Sequence, residues 1–465
     1  MDTIYALSSG ALPSAVAIVR VSGPKVTEIL EKVLGFVPEP RRMHYGVFSG
    51  LDGTILDESL VVYFKGPHSY TGEDCAEFHL HGGRAVVNRF LEELAKFEDC
   101  RLAEPGEFSK RAFHSGKMDL TQAEGLSDLL AAETEGQRRM ALSGASGALA
   151  AQYRNLRKQL LQARALCEAA FDFSEEEDIH FEDLEKVWGE LEILRSHLKE
   201  QIIYGEQAQK ARDGFNVVLL GAPNSGKSSF INKIFQRELA LVSSEAGTTR
   251  DVIEGRLVLG GFPVFVNDTA GIRRTDNKVE ELGISRALER LVSADLVLYL
   301  EEAPKFFENF FKDIKSFLKE IEIDDALIAL EKLSKKNALW FIKTKTDLLS
   351  EEQLLDLRSR VFEEPHYFIS ITEDSGFREI LDDIERFILN YCAHLNHIMP
   401  ARERQIFLLR KCLACVDAAL EARILGLEYV AEHLRLASHQ LGKITGDIDI
   451  EDVLDVIFSQ FCVGK

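Results

Sequence analysis

The segment that most restricts the fold of this chain is a short glycine-containing loop at residues 221–228, which read GAPNSGKS. It directly follows the apolar run Phe215–Leu220, so the pattern predicts a strand, a tight turn and then a helix. Glycines such as Gly226 let successive backbone N–H groups point at phosphate oxygens. Lys227 adds a positive charge, and the Ser228 hydroxyl is suited to bind Mg²⁺. The segment therefore predicts a nucleoside triphosphate site in an α/β domain.

The character of the sequence changes three times along its 465 residues. Short β-branched runs with Gly and Pro between them predict an α+β domain over residues 1–117. Apolar residues at helical spacing predict helices over 118–212, where residues 121–124 resemble a capping box, and again over 386–465. Alternating strand and helix patterns predict a mainly parallel sheet over 213–385. The simplest interpretation is a discontinuous helical domain interrupted by an inserted nucleotide domain.

Composition excludes several classes of protein. The formal net charge is −21, which disfavours a non-specific grip on nucleic acid, because such binding needs clustered cations. No apolar stretch approaches the roughly 20 residues needed to span a bilayer. The N-terminus has no basic segment followed by an apolar one, and the 7 cysteines are scattered. We therefore expect a cytoplasmic protein that does not bind membranes.

Two further segments predict elements that sense the phosphates. Residues 268–271 read DTAG after a strand-like run, so Asp268 can hold Mg²⁺ through water and the backbone N–H of Gly271 can meet the γ-phosphate. Residues 247–251 read GTTRD, where Thr249 can place its hydroxyl on Mg²⁺ only when a γ-phosphate is present. Both segments are predicted to respond to the state of the nucleotide.

A fourth element predicts the identity of the base. Residues 344–347 read TKTD after an apolar run, and the carboxylate of Asp347 can accept two hydrogen bonds, from N1–H and the amino group of guanine. Adenine cannot offer that pair. Thr344 stands where Asn is usual, which leaves open whether it makes a bridging hydrogen bond, and Ser370 is predicted to close over the base. Four such elements in this order predict a GTPase.

Ile272 follows Gly271, whereas Ras-like GTPases carry a water-orienting Gln at that position. The attacking water must therefore be positioned by another residue. Transition-state charge must also be offset, a task for which an arginine finger contributes about 10³ to 10⁵ in rate. Asn224, inside the phosphate loop, is instead suited to bind a monovalent cation that bridges the phosphates.

The nested order of segments, the AGTTRD sequence of residues 246–251 and the final FCVGK of residues 461–465 resemble the MnmE (TrmE) family of tRNA-modification GTPases over essentially the whole chain. The ending is the most specific signal, because GTPase motifs are shared widely. The resemblance implies three parts: an N-terminal α+β domain of the folate-binding type, a discontinuous helical domain and an inserted Ras-like P-loop G domain. The N-terminal domain would also mediate dimerisation.

The resemblance also implies the activity. The family hydrolyses GTP with K⁺ stimulation and, with a flavin-dependent MnmG (GidA)-type partner that carries FAD and uses NADH, installs a carboxymethylaminomethyl group at the five-position of the wobble uridine of certain tRNAs. A tetrahydrofolate derivative is the one-carbon donor. The implied assembly is a homodimer that forms a heterotetramer with the flavoprotein.

Matched positions imply the roles of individual residues. Glu280 would orient the attacking water, although without the family it would read as an exposed carboxylate at a helix start. The implied Mg²⁺ ligands are Ser228 and Thr249. The implied K⁺ ligands are Asn224, Ser243, Glu245 and Thr248. The implied GTP contacts are Asn224, Ser225, Gly226, Lys227, Ser228, Ser229, Ser243, Thr248, Thr249, Asp268, Thr269, Ala270, Gly271, Thr344, Lys345, Asp347 and Ser370.

The same matching implies folate contacts at Arg20, Glu77, Lys117 and Lys465. An acid can hydrogen-bond the amidine edge of a pterin, and cations can meet glutamate carboxylates, although each residue taken alone fits a surface ion pair equally well. Cys462 is either a functional thiol at the folate end or a buried, inert one.

Two other functions fit parts of the sequence. One is a GTP-switched RNA or ribosome assembly factor of the Era type, which would more often append a basic RNA-binding module to the G domain. The regions before Phe215 and after Pro400 are instead acidic to neutral. The other is a folate enzyme with a relic G domain. The intact nucleotide-site residues argue against it: Lys227, Ser228, Thr249 and Asp268.

Overall fold

A computed structural model describes residues 2–172, 181–221, 224–237, 254–268, 290–305, 328, 331–333, 335–336, 338–360, 362, 364–394, 398–448, 454, 457–459 and 461–464. The chain divides into two compact units. The flanking unit consists of Met1–Ala131, Ala141–Ile202 and Arg404–Lys465, and the inserted unit consists of Ala132–Met140 and Ile203–Glu403. The finer division after residues 117, 212 and 385 stays our proposal for the domain boundaries.

The flanking unit contains a six-stranded sheet in the order β3-β4-β5-β2-β1-β6. Its strands are β1 (Thr3–Leu7), β2 (Val16–Ser22), β3 (Met43–Ser49), β4 (Ile55–Phe64), β5 (Cys75–His81) and β6 (Cys100–Leu102). Neighbouring strands are antiparallel except β1 and β6, which are parallel. The β-branched runs of the sequence therefore form strands, as predicted.

Side-chain alternation gives this sheet two different faces. Ala17, Val19 and Val21 of β2 are buried in one core with residues of the helices α1 (Val26–Leu34) and α2 (Arg84–Leu94). Arg20 points to the other face, where Phe108 of α3 (Glu107–His114) lies. One face of the sheet therefore covers an apolar core, and the other carries the Arg20 guanidinium.

Long helices complete the flanking unit and lead into the inserted one. They are α4 (Leu120–Ala131), α5 (Glu135–Ala145), α6 (Ala148–Asp172), α7 (Phe181–Asp213), α11 (Glu403–Glu421) and α12 (Leu427–Thr445). α6 packs along α12, and their shared core includes the fully buried Tyr153, Leu160, Leu409 and Leu434. Apolar residues at helical spacing, which predicted these helices from the sequence, form this core.

The start of α4 differs from the prediction. Gln122 N donates to Asp119 Oδ1 at 3.0 Å, and Asp119 N donates to Gln122 Oε1 at 3.0 Å. Asp119 and Gln122 therefore form the capping box, and the assignment of that role to Thr121 and Glu124 is wrong, because the helix begins earlier than the sequence pattern suggests.

Glu124 has a structural role instead. Its carboxylate is 2% exposed and accepts hydrogen bonds from Arg404 Nε at 2.8 Å and Gln405 Nε2 at 2.6 Å. Arg404 also donates to the carbonyl oxygens of Lys443 and Ile444, so its guanidinium joins α4, α11 and the end of α12. Removing one partner of such a buried ion pair lowers the free energy of unfolding by about 3–5 kcal/mol, because it leaves a buried charge without compensation.

The inserted unit contains the second sheet, in the order β12-β11-β10-β7-β9-β8. Its strands are β7 (Phe215–Leu220), β8 (Glu254–Leu259), β9 (Phe262–Asp268), β10 (Leu296–Glu302), β11 (Leu339–Thr344) and β12 (His366–Phe368). All neighbouring strands are parallel except β8 and β9, which form an antiparallel hairpin. The predicted mainly parallel sheet is confirmed.

Three described helices flank this sheet: α8 (Lys227–Arg237), α9 (Glu351–Ser359) and α10 (Phe377–Tyr391). Short 3₁₀ turns occupy Ala303–Lys305 and Thr346–Leu348, and a third, Ala422–Ile424, follows α11 in the flanking unit. β7 lies between β9 and β10, so the chain order reverses on its two sides. In open parallel sheets such a reversal leaves a crevice at the carboxyl ends of the strands, where ligands bind.

Candidate functional site

The phosphate loop leaves the carboxyl end of β7 and enters α8 at Lys227. Gly221 and Gly226 have φ of 149° and 95°, as the tight turn requires. Lys227 is 9% exposed, and its Nζ donates to the carbonyl oxygen of Gly221 at 2.7 Å. The ammonium group is therefore folded back across the loop, close to where phosphates would lie.

Two side chains of the loop leave polar groups for a ligand. Asn224 has a φ of 67° and is exposed, in the left-handed region that asparagine tolerates better than most residues. The Ser225 hydroxyl is buried and has no hydrogen-bond partner among the described residues. Buried hydroxyls are normally satisfied, so an unpaired one beside a turn of this kind fits a site that a ligand completes.

Thr344, at the end of β11, reaches the phosphate loop. Its hydroxyl lies 2.8 Å from the carbonyl oxygen of Ser225 and 3.2 Å from that of Glu301, and the residue is fully buried. A hydroxyl has one proton, so it donates to one of these carbonyls at a time. The bridging hydrogen bond that the sequence leaves open is therefore present, with Thr in the place of the usual Asn.

The predicted base-recognition residues meet at the same edge of the sheet. Asp347 is exposed, and its Oδ1 accepts a hydrogen bond from the Ser370 hydroxyl at 2.6 Å. This bond, with a second from Thr372, holds the pKa of the Asp347 carboxyl below its ordinary value. Ser370 also accepts from the backbone N–H of Glu373 at 3.1 Å. Asp347 is thus kept ionised and oriented, as an acceptor of two hydrogen bonds must be.

Lysines on either side of Thr344 pair with acids at the end of β10. The Lys343 ammonium, 1% exposed, contacts the Glu301 carboxylate, and burial lowers its pKa. Lys345 has a φ of 58° and its Nζ lies 2.6 Å from Glu302 Oε1. These pairs fix the backbone on both sides of Thr344.

Several predicted residues lie outside the described part of the chain. These are Ser243, Glu245, Thr248, Thr249, Thr269, Ala270, Gly271, Glu280 and Lys465. Asp268 is described through its backbone: it ends β9 in register with Leu219 of β7. The backbone position of Asp268, one strand from the phosphate loop, agrees with its predicted place. Ser228 and Ser229 lie in the first turn of α8.

A second polar site lies on the sheet of the flanking unit. Arg20 Nη2 lies 2.9 Å from Glu77 Oε1, across adjacent strands β2 and β5. The Arg20 guanidinium also lies 5.0 Å from the ring centre of Tyr70 and 5.6 Å from that of Phe108. Its Nη1 is buried without a hydrogen-bond partner among the described residues. Arg20 and Glu77, predicted as folate contacts, therefore form one ion pair with a donor left over.

Lys117, the third predicted folate contact, lines a groove of about 480 Å³. The other lining residues are Arg41, Phe64, His68, Ser69 and Tyr70. Tyr70 joins the groove to the ion pair, since its ring is covered by Arg20 and its hydroxyl lies 2.7 Å from Ser109 Oγ. Sequence reasoning missed Arg41, whose Nη2 donates to the carbonyl oxygen of His68 at 2.9 Å. A basic residue next to a second one, Arg42, was the signal available.

The C-terminal tail packs against the same domain. Val463 pairs with Pro105, and the N–H of Gly106 donates to the carbonyl oxygen of Cys462 at 3.5 Å. The Ser8 hydroxyl donates to the carbonyl oxygen of Gly464 at 3.0 Å. The tail thus lies at the start of α3, the helix whose Phe108 lies under Arg20. Cys462 is exposed, so the alternative that it is a buried thiol is wrong.

Within the described ranges, no group of three or more His, Cys, Asp or Glu side chains could hold a metal ion. None of the helices built from described residues combines the length and the apolar character of a membrane span.

Comparison with known proteins gives matches along essentially the whole chain. Residues 3–117 match the family model described as GTP-binding protein TrmE N-terminus, and residues 120–462 match the model described as MnmE helical domain. The chain is 49% identical over 465 residues to the tRNA modification GTPase MnmE of Bartonella bacilliformis, with all of both chains covered. It is 47% identical over 464 residues to the tRNA modification GTPase MnmE of Brucella anthropi, covering 100% of this chain and 98% of that relative.

Among solved structures, the G domain of FeoB from Methanococcus jannaschii is 20% identical, with 38% of this chain and 98% of that one covered and a TM-score of 0.24. At that TM-score the match has no bearing on function. The matches to both family models and the identity along the full length show that the chain belongs to the MnmE (TrmE) family of tRNA modification GTPases.

Proposed function

We propose that the protein hydrolyses GTP at the 221–228 loop with K⁺ stimulation, and that turnover serves the installation of a carboxymethylaminomethyl group at the five-position of the wobble uridine of certain tRNAs. Membership of the family already identifies the protein as a tRNA modification GTPase. The proposal therefore concerns K⁺ stimulation, folate binding and the partner protein. The observation that carries the nucleotide part is the bond from Thr344 to the carbonyl oxygen of Ser225, because it joins the phosphate loop to the segment that holds Asp347.

The loop residues fit a site for cations and phosphates. We assign Mg²⁺ to Ser228 and Thr249, and K⁺ to Asn224, Ser243, Glu245 and Thr248. K⁺, when bound, would supply positive charge between the phosphates. Two observations support a ligand at this loop: Asn224 is exposed, and the Ser225 hydroxyl is buried with no hydrogen-bond partner among the described residues. Glu280 would orient the attacking water in place of the Gln that Ile272 replaces.

We assign a tetrahydrofolate derivative to the flanking unit, with Arg20, Glu77, Lys117 and Lys465 as its contacts. The carboxylate of Glu77 suits the amidine edge of a pterin, and the cations suit glutamate carboxylates. The groove beside Lys117, with the aromatic rings of Phe64 and Tyr70 in its wall, supports the assignment, because a flat heterocycle stacks on such rings. Cys462 is proposed as a functional thiol, since it is exposed on a tail that α3 holds.

The proposed assembly follows the family. The chain would act in the cytoplasm as a homodimer and form a heterotetramer with an MnmG (GidA)-type flavoprotein that holds FAD and uses NADH. tRNA is the substrate of the pair. A net charge of −21 agrees with a partner that supplies much of the attraction for RNA.

The cation assignment is tested by hydrolysis rates in KCl and NaCl at equal ionic strength. The wild-type rate should be at least about tenfold higher in KCl, which corresponds to about 1.4 kcal/mol of transition-state stabilisation. Asn224→Lys should remove the difference. Asn224→Gly tests the amide oxygen separately from the backbone, because glycine keeps a positive φ but has no side-chain oxygen. This variant should also lose the K⁺ effect. Equal wild-type rates in the two salts would contradict the assignment.

The folate assignment is tested by fluorescence titration with tetrahydrofolate. Glu77→Gln and Lys117→Met should each weaken binding about tenfold or more, the effect of losing one hydrogen bond to a charged group. Glu39→Gln, which alters an exposed ion pair with Arg42 on the same domain, is the control and should bind normally. Normal affinity in both site variants would refute this site.

The reaction is tested by nucleoside analysis of tRNA from cells that lack the protein. Loss of the five-position substituent at the wobble uridine is expected. Unchanged wobble uridines would instead favour a GTP-switched assembly factor.

A further inference from the structure

Residues 132–140 belong to the inserted unit, although their neighbours in sequence on both sides belong to the flanking unit. They comprise the loop before α5 and the first part of that helix. Their contacts include the β8–β9 hairpin and the end of α7. We call residues 133–137 the clasp.

The backbone of the clasp is bonded to the tip of the hairpin. The N–H of Gly136 donates to the carbonyl oxygen of Gly261 at 2.9 Å. Gly260 and Gly261 form the two-residue turn between β8 and β9, with φ of 59° and 83°. A methyl group on Gly136 would lie 2.6 Å from both the Gly261 oxygen and the Phe262 ring. The approach is possible only because residue 136 has no side chain.

Side chains secure the clasp on both sides of that bond. Glu133 forms an ion pair with Arg256 of β8, whose guanidinium also lies 5.4 Å from the ring centre of Phe265 on β9. The Gln137 side chain accepts from the N–H of Glu133 at 3.0 Å and donates to the carbonyl oxygen of Arg212 at 2.8 Å. The clasp therefore holds both strands of the hairpin and the end of α7.

The hairpin is the link between the two predicted phosphate-sensing segments. β8 begins at Glu254, shortly after residues 247–251, and β9 ends at Asp268, where residues 268–271 begin. A parallel pairing with β7 fixes β9, whereas β8 is the edge strand and pairs with β9 alone among the strands of this sheet. Both sensing segments are therefore continuous in sequence with a hairpin whose tip is bonded to the clasp.

We propose that the clasp is a positioning element of the GTPase. It responds to the position of the β8–β9 hairpin, so that the conformation of α5 depends on which nucleotide is bound. α5 suits this role because it is one continuous helix, Glu135–Ala145, whose first six residues belong to the inserted unit and whose remainder belongs to the flanking unit. Glu133, Gly136 and Arg256 lie outside the segments predicted to contact the nucleotide, so they are assigned as positioning residues. The inference rests on the proposed GTP site.

Hydrogen exchange of the full-length protein, followed by mass spectrometry with and without a non-hydrolysable GTP analogue and KCl, tests the proposal. In the wild type, exchange over residues 135–145 should change at least about threefold when the analogue binds. The charge reversals Glu133→Arg and Arg256→Glu should each abolish that change, and the double variant should restore it. Arg139→Ala is the control, because Arg139 lies on the same helix but pairs with Glu135 and not with the hairpin.

Affinity for the analogue, measured on the same samples, distinguishes failure of the clasp proposal from failure of the proposed GTP site. Binding within about twofold of wild type in every variant, with a lost and restored exchange response, supports the clasp. Binding without any response of residues 135–145 in the wild type, or a full response in the single variants, overturns the clasp and leaves the GTP site intact. Failure of the wild type to bind the analogue would overturn both. Restoration in the double variant also guards against misfolding of the single ones.

Discussion

The hydroxyl of Thr344 and the carbonyl oxygen of Ser225 lie 2.8 Å apart, although the two residues are 119 positions apart in the chain. The bond connects the end of β11 to the phosphate loop, and so connects the group that reads the base to the groups that hold the phosphates. A loop held in this way needs less ordering when a nucleotide binds, which favours affinity.

Thr344→Val keeps the shape of the side chain but removes its only donor. Because a buried carbonyl left without a partner costs about 1–3 kcal/mol, GDP affinity should fall about tenfold or more. Thr344→Ser keeps the hydroxyl and should bind almost as wild type. Calorimetric titration with GDP checks the pair, and equal affinities for the Val and Ser variants would show that the hydroxyl is not used.

Asp347→Asn should change the base preference of the site from guanine to xanthine. The asparagine amide can accept from N1–H and donate to the O2 of xanthine, but it cannot accept from the amino group of guanine. GTP affinity should fall by about 10- to 100-fold, as expected for a lost hydrogen bond to a charged group, while xanthosine triphosphate should gain affinity. Asp356→Asn, an exposed change on α9, should alter neither. Unchanged preference for GTP would refute the role of Asp347.

Gly464→Ala should detach the tail. Residue 464 has a φ of 101°, which L side chains rarely adopt, and a methyl group there would lie 2.3 Å from the carbonyl oxygen of Leu7. We expect faster hydrogen exchange at the tail and at residues 7–8, and loss of tRNA modification with GTP hydrolysis retained. Val463→Ala, at a half-exposed side chain, should leave both unchanged. Normal modification by the Gly464 variant would show that docking of the tail is dispensable.

His366 should make the stability of the protein depend on pH. It is stacked between Phe341 and Phe362, and its Nδ1 bonds the carbonyl oxygen of Glu364 at 2.8 Å. Burial lowers its pKa to about 4 from an ordinary value of 6.5. The unfolded chain therefore binds a proton between these values when the folded chain does not, so stability falls as pH drops from about 6.5 to about 4 and is flat above.

His366→Asn keeps a donor near the Glu364 carbonyl but cannot titrate. The melting temperature of the wild type should drop more between pH 7.5 and pH 5 than that of the variant. An identical drop would mean that His366 does not contribute to the acid sensitivity.

Local sequence patterns predicted the elements but not always their ends or partners. The apolar run 215–220 is β7, with the same bounds as predicted. For the capping box of α4 the sequence pattern indicates the wrong pair, because Asp119 and Gln122 have the same spacing as Thr121 and Glu124. Glu124 is instead buried by Arg404, a residue 280 positions away that no local pattern could connect with it. The exposure of Cys462 likewise follows from where the tail packs.

By itself the sequence determined the strand-loop-helix of the phosphate site, the order of the nucleotide elements and the family, because periodicity, turn residues and motif spacing are local properties of the chain. Only the tertiary structure decided that Thr344 bridges to Ser225, that Arg20 covers Tyr70 beside the Lys117 groove, and that Gly136 touches the tip of the β8–β9 hairpin. Each of these contacts joins residues distant in sequence, and their distances depend on how sheets and helices pack rather than on the preference of any one segment.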